Sequence, residues 1–169
     1  AITDEGAGQV FNLPVPAGLN DNEMALIRDT VILPLVANFR PDAIVLQCGA
    51  DAVTEDPQSR LKLSNNAHWA IVAALKPLAL RYLVLGGGGY NPWSVGRLWT
   101  GVWAVLNNHE IPGHLPAQAQ NILAHLTWEG PIRRHLPEPH WINTLRDAPR
   151  NGDVRTDVRD RAASLAARF

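Results

Sequence analysis

The sequence predicts an α/β fold in which a parallel sheet is flanked by helices, the chain making up part of one such domain. Three observations predict it. Two short apolar runs, Ala43-Ile44-Val45-Leu46 and Tyr82-Leu83-Val84-Leu85, each stop at or near glycine, as strands buried on both faces of a sheet do. A helical pattern separates them, and a strand, helix, strand order makes the two strands parallel neighbours. With 169 residues, 46% of them hydrophobic and 18% charged, the chain has the length of about one domain and enough apolar side chains for a core.

Taken in order, Val10-Phe11-Asn12-Leu13-Pro14-Val15-Pro16 alternates weakly and is closed by prolines, which predicts a short strand entering a loop. Asn20 with Glu23 three residues on has the form of a capping box, and Met24, Ile27, Val31 and Leu35 follow at helical spacing. A helix is expected from about Asp21 to Phe39, kinked at Pro34. The first buried strand then ends at Cys48-Gly49-Ala50-Asp51, and a polar loop runs to Leu63. Ser64 or Asn65 caps a second helix with Ala67, Ile71, Ala74, Leu75 and Leu78 on one side and Pro77 at its end. After the second strand, Gly86 to Gly89 is a terminator. Asn91 and Pro92 open a mostly buried helix with Trp99, Val102, Trp103 and Leu106 on its stripe. Scattered prolines beyond Asn108 predict short helices laid over the sheet, among them Pro112, Pro116, Pro131, Pro137 and Pro139. Alternating Arg and Asp with Val154, Val158, Leu165 and Phe169 predict an exposed amphipathic helix over Asp153 to Arg168. The domain division is therefore 1–150 for the α/β unit and 151–169 for an exposed terminal helix or tail.

Charge and cysteine usage exclude several classes. The formal net charge is −1, being −4 over residues 1–132 and +3 over 133–169, so no strongly basic nucleic-acid surface is expected. Cys48 is alone, which excludes an intrachain disulfide framework and suits a reducing, cytoplasmic setting. No stretch has the length and uninterrupted apolarity of a membrane span, and no signal-peptide pattern follows Ala1. Since the first residue is Ala1 and Met24 is the single methionine, the chain is expected to be a piece of a longer one.

Ligand sites of parallel α/β sheets lie beyond the carboxyl ends of the strands. Here those ends carry Asp51 and, after four glycines, Tyr90. A carboxylate and a phenol presented from neighbouring strand ends are either a metal ligand and an oxyanion donor, or a capping aspartate and a packed tyrosine.

The run Leu46-Gln47-Cys48-Gly49-Ala50-Asp51, the following Asp56-Pro57, Arg60-Leu61-Lys62-Leu63-Ser64 and Leu85-Gly86-Gly87-Gly88-Gly89-Tyr90-Asn91 together resemble the zinc-dependent histone deacetylase superfamily. Asn12-Leu13-Pro14 and Val31-Ile32-Leu33-Pro34-Leu35 look like its lead-in, so the resemblance covers about Ile2 to Asn108. From Ile111 to Trp141 the chain looks most like the bacterial acetoin-utilisation branch. The resemblance implies an arginase/deacetylase-like fold, present as the C-terminal part of the catalytic domain, and hydrolysis of N-acetyl-lysine in acetylated protein substrates. Zn2+, or another divalent metal, polarises the acetyl carbonyl and activates water in that family. By position Asp51 becomes a metal ligand and Tyr90 the catalytic oxyanion donor. Gly88, Gly89, Pro57 and Gln58 fall along the substrate channel, with Gln58 where relatives place an apolar residue.

The family's Asp-x-His and His-His motifs do not occur in this sequence. Both lie upstream in relatives, so the isolated chain is expected to bind zinc poorly and to be inactive, one carboxylate standing where three protein ligands are needed. His68, His109, His114, His125, His135 and His140 are expected to be surface or packing residues. Competing readings are a phosphate-binding glycine loop, weakened by Asn91 where G-x-G-x-x-G needs glycine; a thiol enzyme using Cys48; a noncatalytic binding module; and an acetylpolyamine amidohydrolase with the same chemistry.

Overall fold

The computed structural model describes residues 10–129, 134–135 and 137–169; Pro131 and the side chain of His135 lie outside that set. Seven α-helices and two strand pairs are present among the described residues. Helix α1 (Asp21–Ile27) continues through a π-helical segment, Arg28–Ile32, into α2 (Leu33–Phe39). Strand β1 (Ala43–Gln47), helix α3 (Asn65–Leu75), strand β2 (Arg81–Leu85) and helix α4 (Pro92–Leu106) form the predicted crossover unit. Beyond it come α5 (Ala117–His125), the two-residue strands β3 (Trp128–Glu129) and β4 (Arg134–His135), α6 (Pro139–Asn143) and α7 (Thr156–Ala166). None of these helices is long and apolar enough to cross a membrane.

β1 and β2 pair in parallel, Ala43 with Arg81 through Gln47 with Leu85. Their inner face, Leu46, Tyr82 and Val84, packs on a core of Val53, Trp69, Val72, Leu98 and Val102 supplied by the β1–α3 loop, α3 and α4. Helices α3 and α4 approach closely because Gly101 leaves room for Trp69, whose indole N–H donates to the Leu98 carbonyl at 2.9 Å. Buried Arg97 of α4 pairs with buried Asp147 at 2.6 Å. Asp147 also accepts the Asn65 N–H that opens α3.

The helix starts follow the local signals. Asn20 and Glu23 form the capping box of α1, Ser64 caps α3 and Asn91 caps α4.

Several expectations are corrected. Residues 10–16 form no strand, because no neighbouring strand is there to pair with them among the described residues. The irregularity expected at Pro34 begins earlier: the Leu33 N–H bonds back to Arg28 in the wider π register just before the proline. The strands are not covered on both faces among the described residues, where Val45, Leu83 and Leu85 are 63%, 54% and 44% exposed and each of the two strands has one partner. On α3 the buried face is His68, Trp69, Val72 and Leu75, while Ala67 and Ile71 line an open cleft. On α4 the buried face runs through Arg97, Leu98, Gly101 and Val102, set by the Asp147 pair and the Trp69 contact; Trp103 points outward and stacks on His109. The terminal helix α7 is docked and not wholly exposed. Its Val158, Ala162 and Leu165 are buried against α1, the π segment and the residue 11–19 stretch. Arg155, just before α7, reaches buried Glu23.

Candidate active site

Because β1 and β2 are parallel, the loops that follow them leave the same edge of the sheet side by side. Their pairing continues past the strands: the Cys48 N–H donates to Leu85 at 2.8 Å and the Ala50 N–H to Gly88 at 2.7 Å. Asp51 sits in the short 3-10 turn Ala50–Ala52 that comes next. A parallel bridge between Val53 and Leu63 closes the base of the following loop, reinforced by Thr54 N–H to Leu63 at 2.9 Å.

The glycines let the two loops meet. A Cβ on Gly88 would lie 2.0 Å from Asp51 Oδ2, so the carboxylate occupies the volume of the missing side chain. At Gly89 the backbone has φ +149°, and a Cβ would meet Val95 at 2.6 Å.

Tyr90 follows and is 46% exposed. Its backbone is held from the neighbouring loop: buried Asp56 accepts the Tyr90 N–H on Oδ2 at 2.6 Å and the Gln58 N–H on Oδ1 at 2.9 Å. Pro57 and Gln58 are exposed on the turn that Asp56 pins. Next to Tyr90, the Asn91 amide donates to the Glu55 carbonyl at 3.0 Å while its oxygen caps Trp93 N–H. The structure thus brings Asp51 against Gly88, and Tyr90 and Gln58 onto one carboxylate. Sequence reasoning used Asp56 as part of a motif and missed its bond to Tyr90, as it missed the second bond of Asn91. The adjacent Asp56-Pro57 was the available signal for a structured turn.

Asp51 and His68 lie on the wall of a cleft of about 490 Å3, otherwise lined mainly by apolar residues of α1, α2, β1 and α3. His68 Nε2 donates to the Gly49 carbonyl at 3.2 Å, and burial holds its pKa below the ordinary value, so the ring is a neutral packing group. His109, His114, His125 and His140 are exposed. Burial raises the Cys48 thiol to about 11, which removes the thiolate that a cysteine enzyme requires.

The cradle at Gly88 fits Asp51 as one ligand of a metal ion, but no group of three potential ligands among the described residues includes it. Glu55, His140 and Asp147 do bring ligand atoms within 4.8 Å of one another. There Asp147 is paired with Arg97 and Glu55 with Arg150, so two guanidinium groups already neutralise both carboxylates. This is a structural charge network between α4 and the loops over it.

Comparison with known proteins agrees with the motifs. The family described as "Histone deacetylase domain" matches residues 1–106. Histone deacetylase 1 of Homo sapiens is 36% identical over 119 residues, covering 68% of this chain and 25% of the relative. Histone deacetylase 9 of Arabidopsis thaliana is 37% identical over 112 residues, covering 66% and 26%. The crystal structure of a histone deacetylase homologue from Aquifex aeolicus superposes with TM-score 0.78 at 34% identity, covering 96% of this chain and 43% of that one. The chain therefore spans about a quarter of the length of these curated relatives.

Proposed function

Since this chain belongs to the histone deacetylase family, we propose that it supplies the strand-end half of a zinc-dependent lysine deacetylase site, of the acetoin-utilisation type. The observation that carries the reading is the joining of the two strand-end loops, which places Asp51 and Tyr90 on one hydrogen-bonded frame. Asp51 supplies one carboxylate to the metal; the other ligands and the acid–base groups come from outside this chain. The face of β1 and β2 left uncovered by the described residues, and the strand edges left unpaired by them, support completion by the rest of such a domain. The chain alone is inactive and holds zinc weakly on this reading.

Zinc, when bound, supplies Lewis acidity toward the acetyl carbonyl and lowers the pKa of a water to about 7. The Tyr90 hydroxyl donates a hydrogen bond to the carbonyl oxygen as negative charge builds there. Gly88 and Gly89 form a side-chain-free wall for the acyl-lysine, and Pro57 and Gln58 form its rim, Gln58 making that rim more polar. The substrates are acetylated proteins in the cytoplasm, with no direct nucleic-acid or membrane contact.

The test uses the complete catalytic domain and an acetyl-lysine peptide. Tyr90→Phe lowers turnover by on the order of 10²–10³-fold with zinc content intact, and Asp51→Ala abolishes zinc retention. Preferential hydrolysis of an N-acetylated polyamine would move the assignment to polyamine deacetylation. A zinc-loaded domain inert toward both substrates overturns it.

A further inference from the structure

We propose that Asp56 is the positioning residue for Tyr90: its carboxylate, by fixing the Tyr90 peptide N–H, sets where the tyrosine hydroxyl meets the substrate. The proposal rests on the deacetylase reading of Tyr90 and deepens it. Asp56 is 4% exposed, yet no cation pairs with it among the described residues. Its two oxygens are instead divided between two backbone donors, Gln58 N–H and Tyr90 N–H. A buried carboxylate held in this way is costly unless those bonds are kept, so the turn over 56–59 and the Tyr90 peptide are locked together.

Tyr90 needs such a lock for two reasons visible around it. Tyr90 is 46% exposed, so within this chain packing does not hold it. It also follows Gly89, whose φ of +149° lies in a region that L side chains rarely adopt, so no Cβ restrains the preceding peptide. The Asp56 bond fixes the peptide before Tyr90, and the bond from Asn91 to the Glu55 carbonyl fixes the residue after it. Both bonds come from one loop, the same loop that begins at Asp51. Tyr90 and its neighbour Asn91 are therefore tied at two points to the loop that carries Asp51.

The isosteric Asp56→Asn change separates this role from general stability. An amide offers one acceptor oxygen to two backbone donors, so either Gln58 or Tyr90 must face an NH2 group. In the complete domain, Asp56→Asn should lower kcat toward an acetyl-lysine peptide by on the order of 10²-fold, leaving KM and zinc content near the parent values. In a Tyr90→Phe background the same change should cost almost nothing further, because no hydroxyl remains to be placed. Asn91→Asp retains the cap on Trp93 N–H and loses the Glu55 bond; it should lower kcat in the same non-additive way, and it decides the matter alone if Asp56→Asn does not fold. Equal multiplicative losses in the parent and Tyr90→Phe backgrounds, or an unchanged kcat, overturn the positioning role. A parent domain that holds zinc but does not hydrolyse the peptide overturns the deacetylase reading itself.

Discussion

The carboxylate of Asp51 fills the space that a side chain on Gly88 would occupy, Oδ2 lying 2.0 Å from the position of the absent Cβ. These residues come from different strand-end loops, and the Ala50 N–H to Gly88 bond beside them keeps the loops in register. The placement of the Asp51 carboxylate on one loop thus depends on the absence of a methyl group on the other.

Gly88→Ala should therefore displace Asp51 while leaving the core intact. On the proposed deacetylase reading, the result expected in the complete domain is loss of bound zinc and of deacetylation, with a thermal midpoint near the parent value for the metal-free protein. Metal analysis after dialysis checks it; full zinc retention would contradict the contact.

Gly101→Ala tests the α3–α4 approach, and two effects oppose each other. Alanine favours a helix interior over glycine by about 1 kcal/mol. The new Cβ would lie 2.1 to 2.4 Å from the Trp69 indole, a rigid ring buried in the core and anchored to Leu98. Overpacking of this kind costs about 1–3 kcal/mol and occasionally more, so net destabilisation is expected, measured by urea unfolding.

Glu23 should make the docking of α7 acid-sensitive. Arg155 beside it, with further backbone donors, lowers its pKa from 4.5 to about 2. A depressed folded-state pKa contributes stability that is present above about pH 4.5 and is lost as pH falls toward 2. Glu23→Gln should flatten the fall in stability across that window, as read by acid titration of tryptophan fluorescence and circular dichroism.

Removing one partner of the buried Arg97–Asp147 pair should cost about 3–5 kcal/mol, because an uncompensated charge is left behind. Asp147→Ala also removes the acceptor of the Asn65 N–H at the start of α3. Denaturant unfolding of Asp147→Ala beside the double variant Arg97→Met, Asp147→Leu checks it. The double variant should recover part of the loss.

The amino-acid order alone was enough for the crossover unit and its caps. Asn20 with Glu23, Ser64 and Asn91 act within a few residues of themselves, and the apolar runs at 43–46 and 82–85 announce strands without outside help. Asp51 and Tyr90 were likewise legible as strand-end residues, since their place follows from the strands before them. Which side of each element is covered was decided only in three dimensions. Helix α3 is apolar on two sides, and Trp69 fitting Gly101 chooses between them. The bond from Asp56 to Tyr90 spans 34 positions, and Arg97 meets Asp147 across 50, distances over which side-chain spacing carries no signal. Helix α7 could not be read as docked because its partners, Glu23 and the π segment, lie more than a hundred residues earlier. Local hydrogen bonding and periodicity are written in neighbouring residues, whereas burial, ion pairing and loop-to-loop straps exist only once distant segments have been packed together.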